Sequence, residues 1–109
     1  MSYSVKTSEY FDKELKRLVK KYPSLKYEYW FLIEQLETRP ASGSPLGNNV
    51  FKIRLAIASK GKGKSGGARI ITYVIIDNKT VLLLTIYNKG EKNSISDKEI
   101  KELIKQYVL

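Results

Sequence analysis

Lys52 and Arg54 stand two residues apart in the alternating run VFKIRLAIA, so a strand there points both cations to one face, about 6.7 Å apart. Arg69 opens a second apolar run directly after Gly66, Gly67 and Ala68, and between the runs Lys60, Lys62 and Lys64 alternate with glycine. Arginine keeps its charge and can fork onto two oxygens of a phosphate. A lysine crowded by like charges is pushed toward its neutral form, which makes Lys52, beside Arg54 and Arg69, a candidate weak base. The chain has no histidine and no cysteine, which removes the usual acid/base group at neutral pH, the commonest metal ligand and every thiolate.

The charge is one-sided. Residues 38–76 hold seven of the twenty cations and none of the eleven acids, so most of the net +9 lies there. Such a field in a protein of pI about 9.7 suggests a polyanionic partner. From charge alone, a solvated surface that aids solubility fits equally well. Lys52 and Arg54 likewise have an ordinary reading as outward residues of a half-solvated strand.

These residues need a scaffold, and the 109 residues read as one domain, 1–109. Residues 2–6 alternate weakly and suit a short edge strand. Phe11, Leu15, Leu18, Val19 and Tyr22 share one stripe of a helix over 8–22, which Pro23 ends. A second helix follows with Leu25, Tyr29, Leu32, Ile33 and Leu36 inward, stopping before Arg39-Pro40. PASGSPLGNN has loop chemistry throughout. From Val50 the period becomes two, giving strands over 50–58, 69–76 and 80–87, with Asp77-Asn78-Lys79 as a tight turn. Ser96 to Glu99 is a capping box, with Ile95 and Ile100 as its staple, opening a last helix whose apolar face is Ile100, Leu103, Ile104 and Tyr107. The fold class is therefore α+β, a helical hairpin on a mainly antiparallel sheet with a C-terminal helix. The charged, alternating amino terminus and the shortness of the apolar run 81–87 predict a cytoplasmic domain with no membrane association.

The lysine and glycine stretch is not a phosphate loop of the G-x-x-x-x-G-K-[ST] kind. Gly63-Lys64-Ser65 fits the end only, Ala58 stands where glycine is required, and a strand follows in place of a helix. It reads as a long, mobile, basic hairpin loop, suited to gripping phosphates but too slack to place a catalytic side chain.

The run VFKIRLAIASKGKGKSGGARIITYVI, continued by LLLTIYNKGEK and the closing helix, resembles the RelE/ParE superfamily of bacterial toxin–antitoxin toxins, nearest its RelE and HigB-like branch. The resemblance implies a small RelE-like microbial-RNase-type fold and metal-independent cleavage of mRNA by 2′-hydroxyl attack in the decoding site of the ribosome, amid its rRNA. It also implies a cognate antitoxin and no cofactor. Carried over residue by residue, Lys52 and Arg54 contact the scissile phosphate and assist proton removal, Arg69 stabilises the pentacovalent phosphate, and Lys89 completes the cluster. Some members use a tyrosine early in the last helix; here SDKEIKEL has none and Tyr107 comes too late, so Tyr87 or Tyr73 would serve, or no tyrosine acts. Lys60, Lys62, Lys64 and Tyr73 are expected to bind RNA, and Tyr27, Tyr29 and Trp30 to pack in the core or meet the antitoxin. Two other readings stay open: a ParE-like inhibitor of DNA gyrase, and a noncatalytic RNA-binding or degenerate toxin module.

Overall fold

Pro23 separates two helices, α1 (Glu9–Lys21) and α2 (Leu25–Thr38), in the computed structural model, which describes residues 2–61, 63, 66–92 and 94–108. Ser8 caps α1, its Oγ accepting from Phe11 N at 3.0 Å, an interaction that stabilises a helix by about 1 kcal/mol. Ser24 makes no such cap on α2, and its side chain is used elsewhere. The expected stripes pack as one core: Phe11, Leu15, Leu18 and Val19 of α1 and Tyr22, which caps its end, meet Leu25, Tyr29, Leu32, Ile33 and Leu36 of α2. Each fully buried leucine or phenylalanine in that layer contributes about 1.5–3 kcal/mol.

The helices cover one face of a five-stranded sheet ordered β1-β5-β4-β3-β2. Its strands are β1 (Ser4–Thr7), β2 (Ser44–Gly47), β3 (Val50–Leu55), β4 (Ala68–Ile75) and β5 (Thr80–Asn88). β1 runs parallel to β5, and the other pairs are antiparallel. Ile53, Ile70, Val81, Leu83 and Ile86 face the helical hairpin. On the opposite face Val50, Ile71, Leu82, Leu84 and Tyr87 meet Ile100 of α3 (Asp97–Val108), with Leu103 and Ile104 beside it. β5 is buried along its whole length, as a central strand covered on both sides must be. No helix among the described residues is long and apolar enough to cross a membrane.

Two expectations need correction. PASGSPLGNN is not loop throughout, because 44–47 form β2 on β3, joined through Asn48 and Asn49 at φ 54° and 64°. Two successive left-handed residues make the tight turn a hairpin favours, and Pro45 is tolerated because β2 is an edge strand. β3 also ends at Leu55 and not at residue 58, since a turn of 3-10 helix at Ala58–Lys60 breaks the alternation. The capping box forms as read: Glu99 N donates to Ser96 Oγ at 3.1 Å and Ser96 N to Glu99 Oε1 at 3.2 Å.

Candidate active site

The register of the three central strands builds the site. Arg54 on β3 lies directly opposite Arg69 on β4, and Arg69 lies directly opposite Tyr87 on β5. Directly paired side chains of an antiparallel sheet have Cβ atoms about 4.5–5.5 Å apart, so Arg54, Arg69 and Tyr87 form one row. The next row on the same face is Lys52, Ile71 and Thr85, and the row beyond is Val50, Tyr73 and Leu82. The rows align despite a shift of pairing, since Ile71 faces Thr85 while Thr72 faces Leu83. Leu84 is thus the additional residue of a bulge, which re-aims the end of β5 that carries Tyr87.

The row is graded in exposure. Arg54 is exposed, Lys52 half-buried, and Arg69 only 5% exposed, with its Nη1 donating to Ala68 O at 3.2 Å. Tyr87 is 5% exposed, and its buried hydroxyl has no hydrogen-bond partner among the described residues. Burial pushes the phenol above its usual pKa, while the neighbouring charges of Arg69 and Lys92 pull the other way. The exposed and half-buried cations at the open end of the row can bind an oxyanion, and burial favours the protonated phenol behind them.

Lys89 lies at the same end of the sheet, one residue past β5, its backbone N donating to Gly67 O at 3.1 Å. Tyr73 stands one row beyond Lys52 and two beyond Arg69 on the same face. It sits four residues along β4 from Arg69, about 13 Å away, half-buried against Ile100 and Ile104 of α3. Tyr107 packs near Thr7–Tyr10, away from the row. Lys62 and Lys64 lie outside the described residues.

Lys60 is placed differently from a solvent-facing grip. Its Nζ donates to Gly66 O and to Asn88 Oδ1, each at 2.5 Å, and stands 5.6 Å from the centre of the Tyr22 ring. Asn88, 2% exposed, also donates to Tyr22 Oη at 3.1 Å and accepts from Gly90 N at 3.1 Å. The other side of this turn is held by α2: Ala58 N donates to Glu28 Oε2 at 2.6 Å and Ser59 N to Ser24 Oγ at 2.9 Å. From the sequence, Tyr22 is placed only on the apolar stripe of the first helix and Asn88 has no role. The available signal was one asparagine ending the otherwise apolar LLLTIY run of β5.

Ion pairs form outside the row, and one of them, Lys92 with Glu99, stands near enough to act on the Tyr87 phenol. Arg17 pairs with Glu14 and Glu91, Lys21 with Glu91, and Lys92 with Glu99. Those made by Glu91 and Lys92 fasten the segment after β5 to α1 and to the start of α3, and Arg17 holds the Glu91 carboxyl below its usual pKa. Of the aromatic residues on α2, Tyr29 stacks on Phe11 at 5.8 Å inside the core, whereas Tyr27, Trp30 and Phe31 are 57%, 62% and 70% exposed. Among the described residues no cluster of three or more histidine, cysteine, aspartate or glutamate side chains could hold a metal ion.

Solved structures share this architecture. A doubly substituted variant of E. coli toxin RelE in the free state matches with a TM-score of 0.65 at 16% identity, over 97% of this chain and 98% of that one. The RelBE2 toxin–antitoxin complex of Mycobacterium tuberculosis matches at 0.56 and 18%, over 81% and 99%. A metal-bound toxin from Helicobacter pylori matches at 0.52 and 22%, over 82% and 97%. At these identities the likeness concerns the fold. The sequence itself matches, over residues 10–107, the profile of the RelE toxin of the RelE/RelB toxin–antitoxin system, and the chain belongs to that family.

Proposed function

We propose that this toxin is an endoribonuclease that cuts mRNA in the decoding site of the ribosome. The observation that carries the reading is the register placing Arg54 opposite Arg69 and Arg69 opposite Tyr87, with Lys52 one row away on the same face. Two arginines directly opposite one another can both fork onto the oxygens of one phosphate. In the proposed reaction the 2′-oxygen attacks the adjacent phosphorus, the bond from phosphorus to the 5′-oxygen breaks, and a 2′,3′-cyclic phosphate remains. Lys52 takes the 2′-hydroxyl proton, Arg54 and Arg69 hold the phosphoryl oxygens as charge accumulates, and Tyr87 supplies the proton to the departing 5′-oxygen. Lys89, at the same end of the sheet, adds positive charge. Side chains carry this chemistry, with no metal assigned to it. The ribosome supplies substrate alignment, an effect that can contribute about 7–11 kcal/mol at best. The partner that silences the toxin is a cognate antitoxin, and the outward aromatics Tyr27, Trp30 and Phe31 of α2 are the surface proposed for it.

Arg69 gives the test. Its side chain is held at the centre of the row, so Arg69→Ala is expected to lower single-turnover cleavage of a programmed ribosome by about 10²–10³, with ribosome binding nearly unchanged. Arg69→Lys restores part of the rate, since a point charge cannot fork across two oxygens. A folded Arg69→Ala protein, checked by circular dichroism, that cuts at the wild-type rate would overturn the assignment.

A further inference from the structure

The loop between β3 and β4 carries three lysines, and one of them is unlike a phosphate ligand. Lys60 stands on the first foot of the loop and Gly66 on the second, and the Lys60 ammonium joins them through its bond to Gly66 O. Its second bond, to Asn88 Oδ1, fixes that junction to the end of β5. An ammonium has three donors, so two are used inside the protein, and the Tyr22 ring occupies a further side. The partners are themselves anchored, Asn88 through Tyr22 Oη and Gly90 N, and the foot itself through Ser24 and Glu28. Immediately beyond Gly66, Lys89 N donates to Gly67 O, and Arg69 follows two residues later in the row.

We infer that Lys60 is a positioning residue that closes the base of the basic loop and sets where the Gly66–Arg69 run enters the sheet, and that it is not an RNA phosphate contact. The closure stands on the fold alone, whereas its consequence for cleavage rests on the nuclease reading above. Loss of the Lys60 ammonium frees the two feet to separate, while the three cations of the site keep their charges. Arg69 then samples positions displaced from the row, and a shift of about 1 Å can reduce a rate by on the order of 10²-fold.

The experiment compares Lys60→Ala, Lys60→Gln, Asn88→Ala and the Lys60→Ala/Asn88→Ala double variant. The first arm uses the isolated protein without RNA and follows amide hydrogen exchange. Lys60→Ala and Asn88→Ala are expected to speed exchange at Gly61 and Lys89, whose amides are bonded at the two feet, while the β4–β5 core stays protected. Lys60→Gln, which keeps a donor but no charge, restores part of the protection. Wild-type exchange in Lys60→Ala would overturn the proposal.

The second arm follows binding to single-stranded RNA or programmed ribosomes against salt. A lost phosphate contact lowers the log–log slope by about 0.7; Lys60→Ala is expected to leave the slope unchanged, and a fall of that size for Lys60 would overturn the proposal. The third arm is single-turnover cleavage, where Lys60→Ala and Asn88→Ala reduce kcat by a similar factor without changing half-saturation, and the double variant loses little more. Equal kcat in wild type and Lys60→Ala, with exchange at the feet accelerated, would sink the positioning role. If wild-type protein cuts no message, the nuclease reading fails, and the exchange arm still decides the closure.

Discussion

Tyr87 shows how one side chain can separate chemistry from packing. Its hydroxyl is buried without a partner among the described residues, a state that costs about 1–3 kcal/mol of desolvation when nothing replaces the lost water. Tyr87→Phe removes the hydroxyl and keeps the ring in the layer with Ile71, Leu84 and Ile100. The variant is therefore expected to be as stable as wild type or more so in urea denaturation. If the phenol donates a proton to the leaving oxygen, cleavage falls by about 10²–10⁴ in the same protein. Loss of stability with full activity would mean that the hydroxyl serves the fold and not the reaction. The sequence shows that Lys52 and Arg54 share a face, because alternation within one strand is local. It does not show whether Tyr73 or Tyr87 joins them, because that depends on the register between strands and on the bulge at Leu84.

At the scale of elements, the helices and the capping box were legible because their signals are short in range: Pro23, the apolar stripes, and Ser96 with Glu99. β2 was not, because its four residues are all exposed and include Pro45, leaving no alternation to read. The closed base of the basic loop was hidden for the opposite reason, since its contacts join Lys60 to Asn88 across the sheet. Gly67 marks where β3 and β4 are forced together: a Cβ there would stand 2.1 Å from Leu55 O and 3.1 Å from Ala56 Cα. Both are backbone atoms and cannot swing aside. Gly67→Ala is accordingly expected to cost about 1–3 kcal/mol, seen as a lower urea midpoint with an unchanged slope. It should also lower cleavage beyond what stability explains, because Arg69 lies two residues away. A wild-type midpoint would show that the two strand ends separate freely.

Across the whole molecule, charge and apolar surface are sorted onto different elements. The basic window supplies Lys52, Arg54, Lys60 and Arg69 to β3, β4 and the foot of their loop, while the acids that form ion pairs sit on α1, on α3 and just after β5. A field of this kind speeds encounter with a polyanion but does not choose between RNA and DNA bound to another protein. The most exposed aromatics, Tyr27, Trp30 and Phe31, lie on α2, in the helical hairpin on the other side of the sheet from α3, with Tyr10 of α1 and Tyr107 of α3 less exposed. That division makes a cellular experiment informative. Induced expression in a bacterium is expected to stop growth by collapsing translation, with messages cut inside their coding regions. Arg69→Ala at equal expression should permit growth, and Trp30→Ala should remain toxic, since Trp30 lies outside the row. Co-expression of the antitoxin should protect against wild type and, if α2 is its surface, protect less well against Trp30→Ala. Arrest with intact messages, filamentation and induction of the DNA-damage response would instead assign the toxin to gyrase, leaving the fold as described and withdrawing the nuclease roles of Lys52, Arg54, Arg69 and Tyr87.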